Sequence, residues 1–403
     1  MRWTRSLVVT LVLTMLAALA RADDPFTLTA TGGGTTVSAS ANDVVKLSGN
    51  LINSEDQFAA LQGKSLSGTL RYGGLNDALL FTRNAAGTSA TITIPSTGFS
   101  KTFTAANESD LEDQIKDFFK KNGASEYAKF LRSINGGTTI GVTDGNPLAV
   151  TALMADASFN RFGFVSPRFD VAQTPPLGRS FNLHADAGVS NSDDADGWYA
   201  AFGLGNTFPL GDRLGISLNF DFRYRDVEGA AVYEVVNTDA LPIRIITPTN
   251  RGDEGLSWTV TPAFVVGFGG SWDLAAGGVP IGGQITSSLA YRAGGWIFVL
   301  ADQYGYYGSV PIDISDFRFE TDVDQQIVKN GVQVIREFGK AFVDAGVSYT
   351  NFLNDAAVDN YWSPEVGAGF RFGAGSGIRV GYHGDFGSGF TDNGGNVMLF
   401  LSY

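Results

Sequence analysis

Residues 214–225 read LGISLNFDFRYR, and their side chains sort by parity. Leu214, Ile216, Leu218, Phe220, Phe222 and Tyr224 fall on one side; Gly215, Ser217, Asn219, Asp221, Arg223 and Arg225 fall on the other. Successive side chains of an extended strand point to opposite faces, so this stretch is a strand with one apolar and one polar, charged face. The same split recurs at 256–268, where Leu256, Trp258, Val260, Pro262, Phe264, Val266 and Phe268 oppose Ser257, Thr259, Thr261, Ala263, Val265 and Gly267. It returns at 181–189, 365–372 and 378–383. Segments of about ten residues are what a tilted strand needs to cross a bilayer.

Working outward, eleven such segments are expected, at 180–190, 197–208, 213–226, 255–268, 284–292, 296–307, 330–338, 341–352, 364–372, 377–386 and 396–403. A barrel with both chain ends on one side of a membrane needs an even number. Twelve strands are favoured, with 160–168 as the missing one. The alternative is ten, with 284–307 as one long strand bulged at Gly294-Gly295.

Composition narrows the class. The 403 residues carry 28 Lys+Arg against 41 Asp+Glu, a formal charge of −13, with no Cys, 51 Gly, 12% aromatics and a mean hydropathy of +0.03. Without cysteine there is no disulfide framework, Cys-based zinc site or thiol nucleophile. The acidic balance lacks the basic footprint of a nucleic-acid binder. The single long apolar run sits at the N-terminus, which argues against many spanning helices. Arg2 and Arg5, then Leu7 to Ala20, then Ala20-Arg21-Ala22 read as a secretory signal peptide cleaved after Ala22. Its removal, with three arginines, takes the charge from −13 to −16.

Residues 23–143 read as a small soluble module, with short Thr/Ser-rich strands followed by two amphipathic helices. The first helix carries Ser109-Asp110-Leu111-Glu112 as a capping box. The second carries Tyr127, Phe130, Leu131 and Ile134 on one face. A linker helix within 144–160 is expected from Pro147 to about Phe159, capped by Asn146. The barrel segment is then 161–403.

Two-sided strands suit a soluble sandwich as well as a membrane barrel. The barrel is favoured by rings toward segment ends, Trp198, Phe208, Phe222, Tyr224, Tyr304, Tyr306 and Tyr382, which read as an aromatic girdle. Short turns also alternate with longer acidic or irregular loops at 191–197, 227–254, 308–325 and 353–362, and the chain ends on Val397, Leu399, Leu401 and Tyr403. Together these features resemble a Gram-negative outer-membrane β-barrel protein, with a weaker similarity in layout to an autotransporter translocator. The resemblance implies a location in the outer membrane, with Val397, Leu399, Leu401 and Tyr403 as the signal read by the barrel-assembly machinery. Outer-membrane lipid, that machinery and small solutes are the implied partners, and nucleic acid is not.

The inward parity collects Asp186, Asp221, Arg223, Arg225, Arg292, Asp344, Glu365, Arg371, Arg379 and Asp385 as a lumen charge network, with His184 and His383 beside them. Buried charges are normally paired, so a network is the simpler reading, and no Gly-x-Ser-x-Gly nucleophile accompanies the histidines. Asp193-Asp194-Ala195-Asp196-Gly197 starts like a calcium loop but lacks the Glu at position twelve, where Gly203 stands. Gly63-Lys64-Ser65 lacks the first glycine of a phosphate loop, since Phe58 occupies that place. No metal site, cofactor or enzymatic activity is therefore expected. The expected role is a narrow porin-like channel or structural outer-membrane protein. The alternative is a barrel anchor that displays a module or acidic loops, and a barrel hydrolase ranks third. Helix 147–159 separates the first two, because a helix inside the lumen opposes free solute passage.

Overall fold

The computed structural model describes residues 26–41, 47, 50–51, 56–72, 75–118, 130, 138–164, 179–193, 195–227, 229–246, 255–271, 273–274, 276–310, 312–314, 317–319, 323–354, 356–373 and 376–402. The expected signal peptide, the second amphipathic helix apart from Phe130, and Tyr403 lie outside these residues.

The first strands are β1 (Phe26–Gly32), β2 (Thr35–Ala41), β3 (Leu66–Tyr72), β4 (Leu75–Arg83), β5 (Ser89–Ile94) and β6 (Phe99–Thr104), in one antiparallel sheet ordered β2-β1-β3-β4-β5-β6. Phe26, Leu28, Leu66, Leu70 and Ile94 bury one face. The other face carries cross-strand hydroxyl pairs, Thr27–Ser40, Thr29–Ser38, Thr31–Thr36, Thr91–Thr102 and Thr93–Ser100, at 2.8–2.9 Å. Helix α1 (Glu108–Asp117) follows. Its cap is Asn107, whose side chain accepts from the Asp110 amide, so the Ser109 capping box does not form.

Helix α2 (Val150–Ser158) continues into a wider π-helical turn at Phe159–Gly163. Asn146 is not its cap. Its side chain accepts from the Leu148 amide and donates to the Gly141 carbonyl, forming a turn that delivers the chain to an N-cap at Ala149. Residues 159–164 are therefore not the missing barrel strand. Among the described residues, no helix is long and apolar enough to cross a membrane.

The barrel wall begins with β7 (Ser180–Ser192), β8 (Asp196–Pro209), β9 (Gly215–Val227), β10 (Ala230–Ala240), the short β11 (Ile243–Ile246) and β12 (Gly255–Ser271). A short β13 (Ala276–Gly278) precedes β14 (Pro280–Ala293) and β15 (Trp296–Ser309). The hairpin of β16 (Ile312–Ile314) and β17 (Phe317–Phe319) leads to β18 (Asp324–Phe338), β19 (Ala341–Phe352), β20 (Asn360–Gly373), β21 (Ser376–Gly387) and β22 (Phe390–Ser402). Twelve long strands of the described chain close antiparallel, with Ser402 of β22 opposite Ser180 of β7. The twelfth strand is β10, inside what reads as a loop in the sequence. Gly294 and Gly295, at φ 54° and 78°, make a tight turn between β14 and β15, so 284–307 is two strands.

The first and last wall strands meet at one end, here the terminal end. The opposite, distal end does not carry uniformly long loops. Ser192 to Asp196, Val227 to Ala230 and Gly387 to Phe390 are tight connections, while 310–323 is the long one. The outer face is an apolar belt that includes Phe264, Ile285, Leu300, Val332 and Val380, each about half exposed. A continuous apolar surface of this extent marks contact with lipid or protein.

Candidate functional site

The candidate site is the barrel interior, and its contents come from the chain just upstream. Val150, Ala152, Met154 and Ala155 of α2 are buried against Val236 of β10, Val265 of β12, Tyr307 of β15 and Ile327 of β18. Small wall residues make room for them. A Cβ on Gly267 would sit 2.7 Å from the Met154 sulfur, and one on Gly269 would sit 3.0 Å from Val142.

Wall side chains also donate to main-chain carbonyls of this plug. Arg223 Nη2 reaches Leu148 O at 2.6 Å, Gln284 Nε2 reaches Met154 O at 3.0 Å, Gln303 Nε2 reaches Ala155 O at 3.1 Å and Ser288 Oγ reaches Gly163 O at 2.7 Å. Polar groups of a helix end and of the turn after it need partners once buried, and the wall supplies them. Two ion pairs complete the attachment: Lys329 to Asp156 at 2.5 Å, and Arg161 to Asp221 at 3.4 Å.

A cavity of about 190 Å³ lies beside the plug. Both histidines line it. His184 Nε2 lies 3.2 Å from Asp221 Oδ1. His383 Nε2 lies 2.9 Å from the Tyr199 hydroxyl and 3.6 Å from Asp186 Oδ2, and Tyr199 donates to Asp392 at 3.3 Å. Neither imidazole is hydrogen-bonded to a serine among the described residues. Asp385 also lines the cavity.

The other inward charges form three further groups. Arg379 binds Asp344 through Nε at 2.9 Å and Nη2 at 2.6 Å, with Glu365 at 3.7 Å and Asn396 at 2.9 Å. Arg223 and Arg225 share Glu234, at 2.5 and 3.3 Å. Near the terminal end Glu337 bridges Arg292 and Arg371. Glu234, Glu337, Lys329, Asp392, Asp156, Arg161 and Tyr199 were not singled out from sequence. Inward parity reaches Lys329 and Asp392 once β18 and β22 are extended back to Asp324 and Phe390.

Of the girdle residues, the Trp198 and Tyr224 rings lie tilted to one another at 5.2 Å, and Tyr233 meets Tyr224 edge-on at 5.4 Å, toward the distal end. Tyr304 and Tyr306 lie at the same end of β15, and Phe208 lies at the terminal end of β8. Phe222 sits one pleat below Tyr224, and Tyr382 is mid-strand on β21, donating to Asn393. Trp296, Phe298, Phe338, Phe370 and Phe372 add exposed rings toward the terminal end. Val397, Leu399 and Leu401 fall on the outward parity of β22.

The distal mouth is covered. Tyr72 of β3 donates to Leu274 O at 2.9 Å, and Phe26, Tyr72 and Phe130 share one apolar cluster with Val142 of the plug segment and Val227, Val232 and Leu274 of the barrel end. Gly145 is held on both sides, its amide to Gln325 at 3.0 Å and its carbonyl by the Ala357 amide at 2.6 Å.

Fold and interior together define a plugged twelve-stranded barrel of the outer-membrane type. No family model matches the chain, and no curated protein matches it. Among solved structures, the translocator domain of the autotransporter NalP from Neisseria meningitidis is similar at 12% identity and TM-score 0.43, over 63% of this chain and 97% of that one. The transport unit of AIDA-I from Escherichia coli is similar at 10% identity and TM-score 0.41, over 62% and 97%. Outer membrane phospholipase A from Escherichia coli is similar at 14% identity and TM-score 0.31, over 58% and 97%. Likeness at this level says nothing about role.

Proposed function

We propose that this protein is an outer-membrane anchor, closed by its own upstream segment, that holds the N-terminal sheet outside the cell. The observation that carries this reading is the course of residues 138–164. They enter at the distal mouth beneath the sheet module and run inside the wall toward the end where β7 starts. With the strand termini in the periplasm, as in bacterial barrels with even strand number, the distal end and its module face the exterior. An open channel is disfavoured by the same contacts, because α2 and the turn after it occupy the interior and are bonded to the wall. The charge groups then serve to solvate one another and grip the plug. Neither histidine takes part in hydrolysis on this reading.

Two measurements test it. An epitope inserted at the Gly33-Gly34 turn is expected to bind antibody on intact cells; binding only after the outer membrane is permeabilised would overturn the display reading. In planar bilayers the full chain is expected to conduct little, and a chain lacking residues 23–159 to conduct readily. Equal, ion-selective conductance of both proteins would favour the channel.

A further inference from the structure

Between β15 and β18 the outer belt is interrupted by a cross-strand acid–amide pair. Asp302 of β15 and Asn330 of β18 are direct cross-strand partners, both exposed, with Asn330 Nδ2 donating to Asp302 Oδ1 at 2.7 Å. Ser287 of β14 extends the polar row as the neighbour of Asp302 on its other side. Around them the surface is aliphatic and aromatic: Ile285, Leu300 and Val332 are each about half exposed, and Tyr304 and Tyr306 stand above. Asp302 is six residues along β15 from Trp296, about 15 Å up the belt for a strand tilted near 40°. That depth lies inside the belt, where an ionised carboxylate facing hydrocarbon is strongly unfavourable.

We propose that this face, centred between β15 and β18, is a twofold interface with a second copy of the chain. Two barrels embedded in one membrane with the same orientation are related by an axis along the membrane normal. Such an axis, placed between β15 and β18, sets Asp302 of each copy opposite Asn330 of the other, and Leu300 opposite Val332. In an isologous contact residue i meets j and j meets i, so a side-by-side acid and amide is self-complementary. The free lone pairs of Asp302 gain a second amide donor, and the carboxylate leaves the lipid. Asp239 is another carboxylate on the outer belt, with Asn237 at 3.3 Å. These two follow one another along β10, so a vertical twofold would set like against like.

The inference rests on the membrane reading above, and the experiment separates the two. The chain has no cysteine, so Val332→Cys introduces a unique thiol. In isolated outer membranes, a short bismaleimide is expected to convert this variant into a cross-linked dimer, while Val380→Cys on the remote β21 stays monomeric. Adding Asp302→Leu is expected to lower the dimer yield about tenfold, an effect equivalent to one decade in association constant, whereas Asp239→Leu leaves it unchanged. Retained heat-modifiable gel mobility checks that each variant is folded. A folded, membrane-inserted Val332→Cys protein that yields no dimer overturns the interface and leaves the membrane reading intact. Equal cross-linking through Val380→Cys, or insensitivity to Asp302→Leu, overturns it as well. Wild type recovered in the soluble fraction overturns both readings.

Discussion

The two sides of the barrel wall follow opposite rules. From β19 through β22 to β9, inward positions are mostly polar: Arg379 pairs with Asp344 and Glu365, and His383, Asp392, His184 and Asp221 line a small polar cavity. From β10 through β18, the inward face meets α2 with Val236, Val265, Tyr307 and Ile327, and hydrogen-bonds the plug through glutamines. An inward residue is thus chosen by what it touches. Where it faces the cavity it is mostly charged, and where it meets α2 it is either apolar or a donor to the helix's polar groups.

The sharpest test of the wall's buried charges is Glu234→Leu, at the seam where β10 meets β9 of the polar side. Glu234 is fully buried and is the shared partner of Arg223 and Arg225, so its loss leaves two buried guanidiniums under-compensated. A loss of about 3–5 kcal/mol in unfolding free energy is expected, read from urea denaturation followed by heat-modifiable mobility. The matching test of the apolar side is Met154→Ala. It should weaken plug packing by about 2–4 kcal/mol and appear as raised conductance and protease sensitivity of residues 138–164, with the wall's denaturation midpoint nearly unchanged. If Met154→Ala lowered that midpoint as much as Glu234→Leu, plug and wall would be one cooperative unit and the contrast would fail.

Lys329→Met cuts the ion pair that joins the wall to the plug. Asp156 keeps some access to water, so about 1–2 kcal/mol is expected, again seen more in plug accessibility than in wall stability. The smallest effect belongs to His383→Gln. Glutamine can still bond Tyr199, and stability should change by less than about 1 kcal/mol with no hydrolytic activity lost. Activity that disappears in the double variant with His184→Gln would instead support an enzyme.

The same contrast explains which strands were legible. Residues 214–225 announce themselves because their inner face is charged and their outer face is ringed. Residues 230–240, AAVYEVVNTDA, do not, because their inward positions are Ala230, Val232, Glu234, Val236, Thr238 and Ala240, while Asn237 and Asp239 point outward. With apolar residues on the plug side and polar ones on the belt side, the alternation is blurred. Glu234 disappeared with the strand, and with it the partner of both arginines. Lys329 and Asp392 were missed for a simpler reason, since their strands begin several residues earlier than the apolar pattern does.

By itself, the amino-acid sequence determined the period of two, the outward rings, the inward charges and so a closed antiparallel barrel, because side-chain direction in a strand is a local property. Only the tertiary structure decided that β10 completes the twelve strands, which charges pair, and that the interior is filled by residues 138–164. These depend on contacts between positions far apart in the chain, such as Gln284 with Met154 or Glu337 with Arg292 and Arg371, for which a local pattern carries no signal.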